Sequence, residues 1–207
     1  MSYWGENKKV QRIKAKVPVR SYCGEKWRTN RTNKKYLAKD FEHRCAYCDD
    51  WDHYNGGERS YHVEHFAPKE KFPALKYVYD NLLYACPYCN EAKSDKWPSD
   101  RPEISVVGNE GFLDPCTEEY YKYIYRKEDG SIGYNGELGK YIYNALNLYL
   151  KRHQVNYNLV RVNEKIEELE KIIQRKQEEG EETRQLEKLY YHLLAEFRYR
   201  VNELGCL

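Results

Sequence analysis

Four cysteines stand in two pairs, each with two residues between its members, at Cys45/Cys48 and Cys86/Cys89. This spacing lets one turn of backbone present both sulfur atoms to a single tetrahedral ion, and two such pairs complete a four-sulfur site. A closed four-sulfur zinc site has no open coordination position. We therefore expect a structural Zn²⁺ that closes the loop 49–85, and this loop carries other side chains able to do chemistry.

The side chains in and just after this loop are suited to phosphodiester hydrolysis. That reaction needs an activated water, a cation at the leaving oxygen and groups that hold the phosphate. His65 is the candidate base, because an imidazole near its normal pKa accepts a proton from water at neutral pH. Glu64 and Asn90 supply the oxygen ligands that suit Mg²⁺ or Mn²⁺. Lys93, one helical turn after Asn90, is expected to face the same side and to meet a phosphate.

The order of these elements resembles the HNH endonucleases of the ββα-metal type with zinc-binding knuckles. The matching elements are Cys-x-x-Cys, Val-Glu-His-Phe-x-Pro, Asp-Asn-Leu-Leu and Cys-x-x-Cys-Asn-x-x-Lys. The resemblance implies His65 as general base and Glu64 and Asn90 as ligands of the catalytic ion. It implies that Asn81 braces the loop and orients the base. Glu64 replaces the commoner Asp and Asn90 the commoner His, and both are oxygen donors, which favours Mg²⁺ or Mn²⁺.

A second likeness extends beyond this region. Asp-Phe-x-x-Arg-Cys-Ala-Tyr-Cys at 40–48, Leu-Asp-Pro-Cys at 113–116 and the helical tail resemble the HNH subunit of Septu-type and retron-associated antiphage systems. Such subunits work with an ABC-type ATPase that gates them. The resemblance therefore implies a DNA-cleaving defence effector with an ATPase partner.

The alternative is a non-catalytic, treble-clef-like zinc module that binds DNA or protein. Four cysteines alone would fit that interpretation equally well. A binding module needs neither a base nor two oxygen ligands between its knuckles, so the additional residues favour catalysis. These residues are Glu64, His65, Asn81, Asn90 and Lys93.

Several basic residues are candidates for nucleic-acid contact. Residues 1–36 hold eleven Lys or Arg against two acids. Such a segment can bind phosphates with counterion release, or it can be a solvated tail. His62 is either a further ligand or phosphate contact, or a satisfied structural histidine. The full candidate set is Arg59, His62, Lys8, Lys9, Arg12 and Lys14. His43, His53, His153 and His192 lie in no recognisable pattern and are assigned no role.

Length, charge and the absence of long apolar runs limit the classes of protein to which this chain can belong. The chain has 207 residues, 33% of them charged, with a net charge of +2, and it is long enough for one domain with an appendage or two small domains. It has neither an apolar run of membrane-spanning length nor a signal-peptide core, so we expect a soluble, cytoplasmic protein. Cysteines at metal-ligand spacing are typical of proteins in a reducing compartment. We expect the remaining thiols to be buried and free. Those thiols are Cys23, Cys116 and Cys206.

The pattern predicts an α+β fold with a zinc-stapled ββα-metal core and a C-terminal helical hairpin. The expected divisions are a basic arm at 1–36, a nuclease core at 37–100, a loop and β-hairpin at 101–136 and a helical region at 137–207. Two apolar stripes, at 155–173 and 186–204, predict helices that pair antiparallel across a turn near 178–182. This hairpin either packs on its own domain or docks a partner.

Within the core, the sequence predicts a helix at 32–41, strands at 61–66 and 81–85, and a helix at 89–96. A second hairpin is predicted from strands at 120–125 and 132–134, after an irregular stretch at 98–115. Strand alternation places Glu64 and His65 on opposite faces. A bend or strand end at His65 is therefore required if both side chains serve one phosphate.

Overall fold

The computed structural model describes residues 11–22 and 30–206. Within them the chain is a mixed α+β protein with six helices, three small antiparallel sheets and a C-terminal helical pair. The elements are β1 (Gln11–Arg12), α1 (Asn30–Asp40), β2 (His62–His65), β3 (Leu82–Ala85), α2 (Pro87–Lys93), β4 (Val106–Val107), β5 (Glu110–Gly111), α3 (Tyr120–Tyr123), β6 (Ile124–Arg126), β7 (Ile132–Tyr134), α4 (Gly136–Ala145), α5 (Lys151–Glu178) and α6 (Arg184–Gly205).

The described part of the basic segment, residues 11–22, packs against the rest of the molecule. β1 adds to the edge of β6 as a third antiparallel strand, and the adjoining Ile13 is buried. Arg20 donates a hydrogen bond to the carbonyl of Leu82 at 2.9 Å and forms an ion pair with Asp114 at 2.8 Å. A solvated tail, one of the two interpretations of this segment, is therefore wrong for residues 11–22.

The core that carries the four cysteines is built around a β-hairpin followed by a helix. β2 and β3 are antiparallel, with His62 opposite Ala85 and His65 opposite Leu82. β3 is buried along its whole length, as an apolar strand in the centre of a domain should be. β2 ends at His65, which is the strand end needed for Glu64 and His65 to reach one site.

α2 is displaced toward the N-terminus relative to the prediction, which placed it between Cys89 and Lys96. It starts at Pro87, because the fixed φ of proline suits the first helical position. The Sγ of Cys86 caps this end by accepting a hydrogen bond from the Cys89 amide at 3.4 Å. The helix ends before Ser94, whose φ of +49° does not continue a right-handed helix.

The second hairpin is present, but part of its first predicted strand is helical. β6 and β7 pair around a turn in which Gly130 has a φ of +86°. Residues 120–123 form α3, which allows the adjacent Tyr120 and Tyr121 both to be buried, whereas a strand would point them to opposite faces. The stretch 98–115 is irregular, as predicted, apart from the short strands β4 and β5.

α5 and α6 form the predicted antiparallel pair. Near the turn that joins them, Gln177 donates to Glu187 at 3.1 Å, and further along Tyr190 donates to Glu170 at 2.5 Å. α6 has no buried residue within the described chain, so its outer face is open to solvent. No helix in the described ranges combines the length and apolarity needed to cross a lipid bilayer.

The first half of α5 is buried against the core that contains the cysteine cluster. Val155 and Leu159 are 0% and 1% exposed. The Oδ1 of Asn156 accepts a hydrogen bond from the Trp51 amide at 3.0 Å, and its Nδ2 donates to the Trp51 carbonyl at 3.3 Å. The helical pair therefore packs on its own domain through α5, while α6 remains available for other contacts.

Candidate active site and metal centre

The four cysteines of the two predicted pairs converge. Their Sγ atoms all lie within 4.8 Å of one another, and all four residues are 0% exposed. The first pair sits in a tight turn in which the Cys45 amide donates to the Asp50 carbonyl at 2.9 Å and Asp49 has a φ of +65°. The second pair spans the start of α2. Four clustered, water-free thiols are the donor set that a structural Zn²⁺ prefers, so the residues fit this ion.

A buried group of charged side chains surrounds the first pair. His153 of α5 contacts the Asp50 carboxylate through Nδ1 at 2.7 Å, and both side chains are 1% exposed. Burial opposes a charge on His153, but the Asp50 and Cys48 charges raise its pKa well above the usual value. Arg126 is 0% exposed and donates to the Cys48 carbonyl at 2.6 Å. Taken with the Asp50 carboxylate, these groups leave one net positive charge, which partly offsets the net negative charge of four thiolates around a divalent ion.

Arg126 has a second role as a junction between segments. Its guanidinium also donates to the carbonyl of Gly130 at 3.0 Å and to that of His153 at 3.3 Å, and it lies 4.6 Å from the ring centroid of Tyr157. The first cysteine pair, the β6–β7 turn and α5 therefore meet at one side chain.

A cavity of about 630 Å³ opens over the end of β2 and the side of α2. Glu64 and His65 both line it, and so does Asn90, the residue directly after the last zinc-site cysteine. His62 lines its outer part and is exposed. The structure thus brings together the predicted base and both predicted cation ligands.

His65 is held in one tautomer by the backbone. Its Nε2 lies 3.0 Å from the carbonyl oxygen of Lys76, which only accepts hydrogen bonds, so Nε2 carries the proton. In the neutral ring Nδ1 is then the basic nitrogen. Burial lowers the pKa of His65 below its usual value, an effect partly offset by the bond to Lys76. The ring is therefore neutral and able to accept a proton at pH 7.

Glu64 is buried in contact with a cation. Its Oε1 lies 2.7 Å from Nζ of Lys93 and accepts a hydrogen bond from Tyr47 at 3.4 Å. Burial raises the pKa of Glu64, and the nearby ammonium of Lys93 opposes that shift. Both side-chain contacts are made to Oε1, which leaves Oε2 for a ligand in the cavity.

Lys93 does not face the cavity as expected. It is 0% exposed, and its Nζ also donates to the His65 carbonyl at 3.0 Å. Burial lowers the pKa of Lys93, while the Glu64 carboxylate counteracts this. Direct contact of Lys93 with a phosphate, as the sequence predicted, is wrong for this arrangement, because the residues around Glu64 enclose the ammonium.

Asn81 braces the loop that follows β2. Its Oδ1 accepts a hydrogen bond from the Ala67 amide at 2.8 Å, and its Nδ2 donates to the Ala67 carbonyl at 2.9 Å. Nδ2 also lies 3.4 Å from the Leu75 carbonyl, next to the Lys76 carbonyl that holds His65. The side chain thus spans both ends of the loop that positions the base.

The predicted nucleic-acid contacts have different environments. Arg59 is exposed near the cavity. Arg12 pairs with Glu118 at 3.0 Å and lies over the ring of Tyr121 at 4.5 Å. Lys14 is 4% exposed and pairs with Asp49 at 2.7 Å, so its predicted contact with nucleic acid is wrong for this arrangement. Lys8 and Lys9 lie outside the described residues.

The two remaining thiols in the described residues are less buried than expected. Cys116 is half-buried, and burial raises its pKa to about 12. Cys206 is exposed near the end of α6, so the prediction of a buried thiol is wrong there. Cys23 lies outside the described residues.

Two groups of residues at these sites were missed by sequence reasoning. Lys34 of α1 and Lys69 of the loop after β2 both line the cavity. Their only signal in the sequence is a general excess of basic residues. Asp50, Arg126 and His153 adjoin the cysteines, although Arg126 follows Cys48 by 78 residues and His153 follows Asp50 by 103 residues, with no metal-ligand spacing to mark them.

Comparison with known proteins is consistent with this geometry. Residues 45–96 match the family model described as HNH endonuclease. The match begins at the first cysteine of the metal cluster and spans β2, β3 and α2. No curated protein matches the chain. The chain therefore carries an HNH endonuclease domain in which the cysteine cluster is consistent with zinc binding.

Proposed function

We propose that this protein is a metal-dependent endonuclease that hydrolyses DNA phosphodiester bonds in the cytoplasm. One observation carries the proposal: a single cavity within the HNH-matching segment is lined by a buried carboxylate, a backbone-oriented imidazole and an amide. These are Glu64, His65 and Asn90. A zinc module that only binds DNA or protein has no use for this combination.

His65 acts as the general base in the proposed reaction. The oxygen of a water molecule attacks the phosphorus atom while one of its protons passes to Nδ1 of His65. The bond from phosphorus to the leaving oxygen breaks, its electron pair stays on that oxygen, and solvent supplies the proton that it takes up. The hydrogen bond from Nε2 to Lys76 holds the ring in place and stabilises the imidazolium that forms.

Glu64 and Asn90 are the proposed ligands of the catalytic ion. Both present oxygen atoms to the cavity, a donor set that suits Mg²⁺ or Mn²⁺. When bound there, such an ion would stabilise negative charge on the phosphate and on the leaving oxygen. Lys93 acts through Glu64: its ammonium keeps the buried carboxylate ionised and ready to bind a cation. Zn²⁺ at the four cysteines has a purely structural role.

The first experiment is cleavage of a plasmid by the purified protein with Mg²⁺ or Mn²⁺. Wild type should cut, and His65→Ala should lose about 10²- to 10⁴-fold in rate, since that is what a general base contributes. His192→Ala is the matched control, because His192 is exposed on α6. Equal cleavage by wild type and His65→Ala would contradict the assigned base. DNA binding without cleavage, both by the protein alone and with the ATPase partner added, would favour the binding module.

We further propose that the nuclease is the effector of an antiphage complex in which an ABC-type ATPase gates it. The resemblance at 40–48 and 113–116 supports this role, and the outer face of α6 offers an interface. Exposed apolar or aromatic side chains are spread around α6, namely Leu189, Tyr191, Leu194, Tyr199 and Val201.

Surface substitutions test this partner better than deletion, because α5 supplies buried core residues. Tyr191→Glu combined with Leu194→Glu should abolish co-purification with the proposed ABC-type ATPase partner, while zinc content and the circular dichroism spectrum stay unchanged. Tyr149→Glu is the control, since Tyr149 is 55% exposed and lies outside α6. Retained binding by the double variant would exclude α6 as the interface.

A further inference from the structure

The candidate active site needs cations that can reach a phosphate, and Lys93 does not supply one. Its ammonium is enclosed between Glu64 and the His65 carbonyl. Two other lysines line the same cavity, Lys34 from α1 and Lys69 from the loop after β2. Neither lysine has a role in the reaction proposed for Glu64, His65 and Asn90.

Lys34 lies at the beginning of β2. Its Nζ donates to the Arg59 carbonyl at 3.1 Å, which directs the side chain toward the cavity, and within the described residues it forms no ion pair. His62 lines the same cavity. Burial lowers the pKa of Lys34, and the charges of Glu58 and Asp52 oppose that shift. Lys34 is therefore a positioned cation that forms no ion pair in the described chain, with two carboxylates at longer range.

Lys69 lies at the other end of β2. Lys69 follows His65 by four residues, and both side chains line the cavity. Its Nζ lies 3.6 Å from a carboxylate oxygen of Glu70, and the two side chains are 38% and 62% exposed. An exposed pair of this kind is worth little, so a phosphate can replace Glu70 at small cost.

The two lysines reach the cavity from different segments. Lys34 belongs to α1, and Lys69 belongs to the loop that follows β2. One DNA strand advances about 3.4 Å per phosphate along the helix axis, so one cavity can face several phosphates. Each lysine can thus contact a phosphate other than the one that faces His65.

We propose that Lys34 and Lys69 are substrate-binding residues that hold the phosphates flanking the scissile bond. The inference rests on the proposed nuclease function and deepens it by naming how the backbone is aligned over His65. The lysines bind phosphate oxygens, while Glu64 and Asn90 face the cation. Arg59, exposed beside the Lys34 contact, extends the same basic edge.

The test measures binding in a protein that does not cut. In a zinc-bound His65→Ala parent, the dissociation constant for a fluorescent DNA duplex is measured by anisotropy over a range of NaCl concentrations. Lys34→Gln and Lys69→Gln should each reduce the slope of log affinity against log salt by about 0.9, the value for one lost phosphate contact on duplex DNA. Lys171→Gln is the control, because Lys171 is exposed on the distal half of α5.

The outcomes separate this inference from the function on which it rests. Slopes for both variants equal to that of Lys171→Gln would overturn the inference, and so would a parent that does not bind duplex DNA. Plasmid cleavage by wild type together with unchanged slopes would leave the nuclease intact and remove the two lysines from it. Reduced slopes, together with a wild type that cleaves neither alone nor with the ATPase partner, would support the lysine contacts and refute the nuclease.

Discussion

Nζ of Lys93 lies 2.7 Å from Oε1 of Glu64, with 0% and 7% of the two side chains exposed. The pair joins α2 to β2 directly beneath the candidate active site. A lysine at this spacing after Asn90 suggests a phosphate contact when only the sequence is considered. Its enclosure makes it the counter-ion of the metal-binding carboxylate instead, and this difference changes what its substitution should do.

We expect Lys93→Met to destabilise the zinc-bound protein by about 3–5 kcal/mol, because it leaves the Glu64 carboxylate buried without a cation. The double variant Glu64→Gln/Lys93→Met should recover much of that loss, since the charge is then removed from both partners. Chemical denaturation of the two proteins measures the difference. Identical unfolding midpoints for the single and double variants would contradict the ion-pair interpretation.

The pH dependence of cleavage should reflect His65. Burial lowers the pKa of His65 from the usual 6.5, so protonation of the free enzyme should reduce kcat/KM only on the acid side of that value. Activity should therefore rise as the pH increases toward 6.5 and be nearly constant at neutral pH. Single-turnover cleavage between pH 5.5 and 8.5 gives the profile. An acid limb centred above pH 6.5 would argue against a buried imidazole as the base.

Asn81→Ala should impair catalysis more than binding. The substitution removes the hydrogen bonds to both backbone groups of Ala67, so the loop that holds His65 through Lys76 loses its brace. We expect kcat to fall by about 10²-fold with little change in KM, as for a displaced catalytic group. Steady-state kinetics separates the two constants. A matching rise in KM with constant kcat would instead make Asn81 a substrate-binding residue.

Removal of zinc should unfold the core rather than merely stop the reaction. A chelator, or the substitution Cys86→Ser, should abolish zinc binding and with it the circular dichroism signal of the native fold, because sites of this type fold with their metal. His65→Ala should keep one zinc ion per chain and a native spectrum. A folded, zinc-free protein would show that the cysteine cluster is dispensable for the structure.

The cysteine cluster and the order of β2, β3 and α2 were predictable because each depends on residues that lie close together in the sequence. The spacing within each cysteine pair reflects the distance between two ligands of one ion. A short apolar strand followed by a helix, as in β3 and α2, can be recognised from a few consecutive residues. The convergence of Glu64 and His65 also followed from local geometry, since the end of β2 had to fall at His65. These predictions needed no knowledge of which segments meet across the fold.

Features that depend on distant packing were not predictable. The role of Lys93 depends on its enclosure beside Glu64, and that of Lys14 on a partner, Asp49, that is 35 residues away. His153 lies more than a hundred residues after Asp50 in sequence and showed no pattern, yet the two are in direct contact. α3 replaced part of a strand because Tyr120 and Tyr121 are both buried. Burial of adjacent side chains reflects the surrounding tertiary structure, which residue periodicity alone does not contain.

The carbonyl contacts of Arg126 have a consequence for how the molecule comes apart. The two terminal nitrogens of this buried guanidinium donate to the carbonyls of Cys48, Gly130 and His153, so the departure of any one of these segments leaves a buried donor without its acceptor. Opening of the first cysteine pair, the hairpin turn or α5 alone therefore costs free energy at the Arg126 side chain. We expect these three segments to unfold together as one cooperative unit.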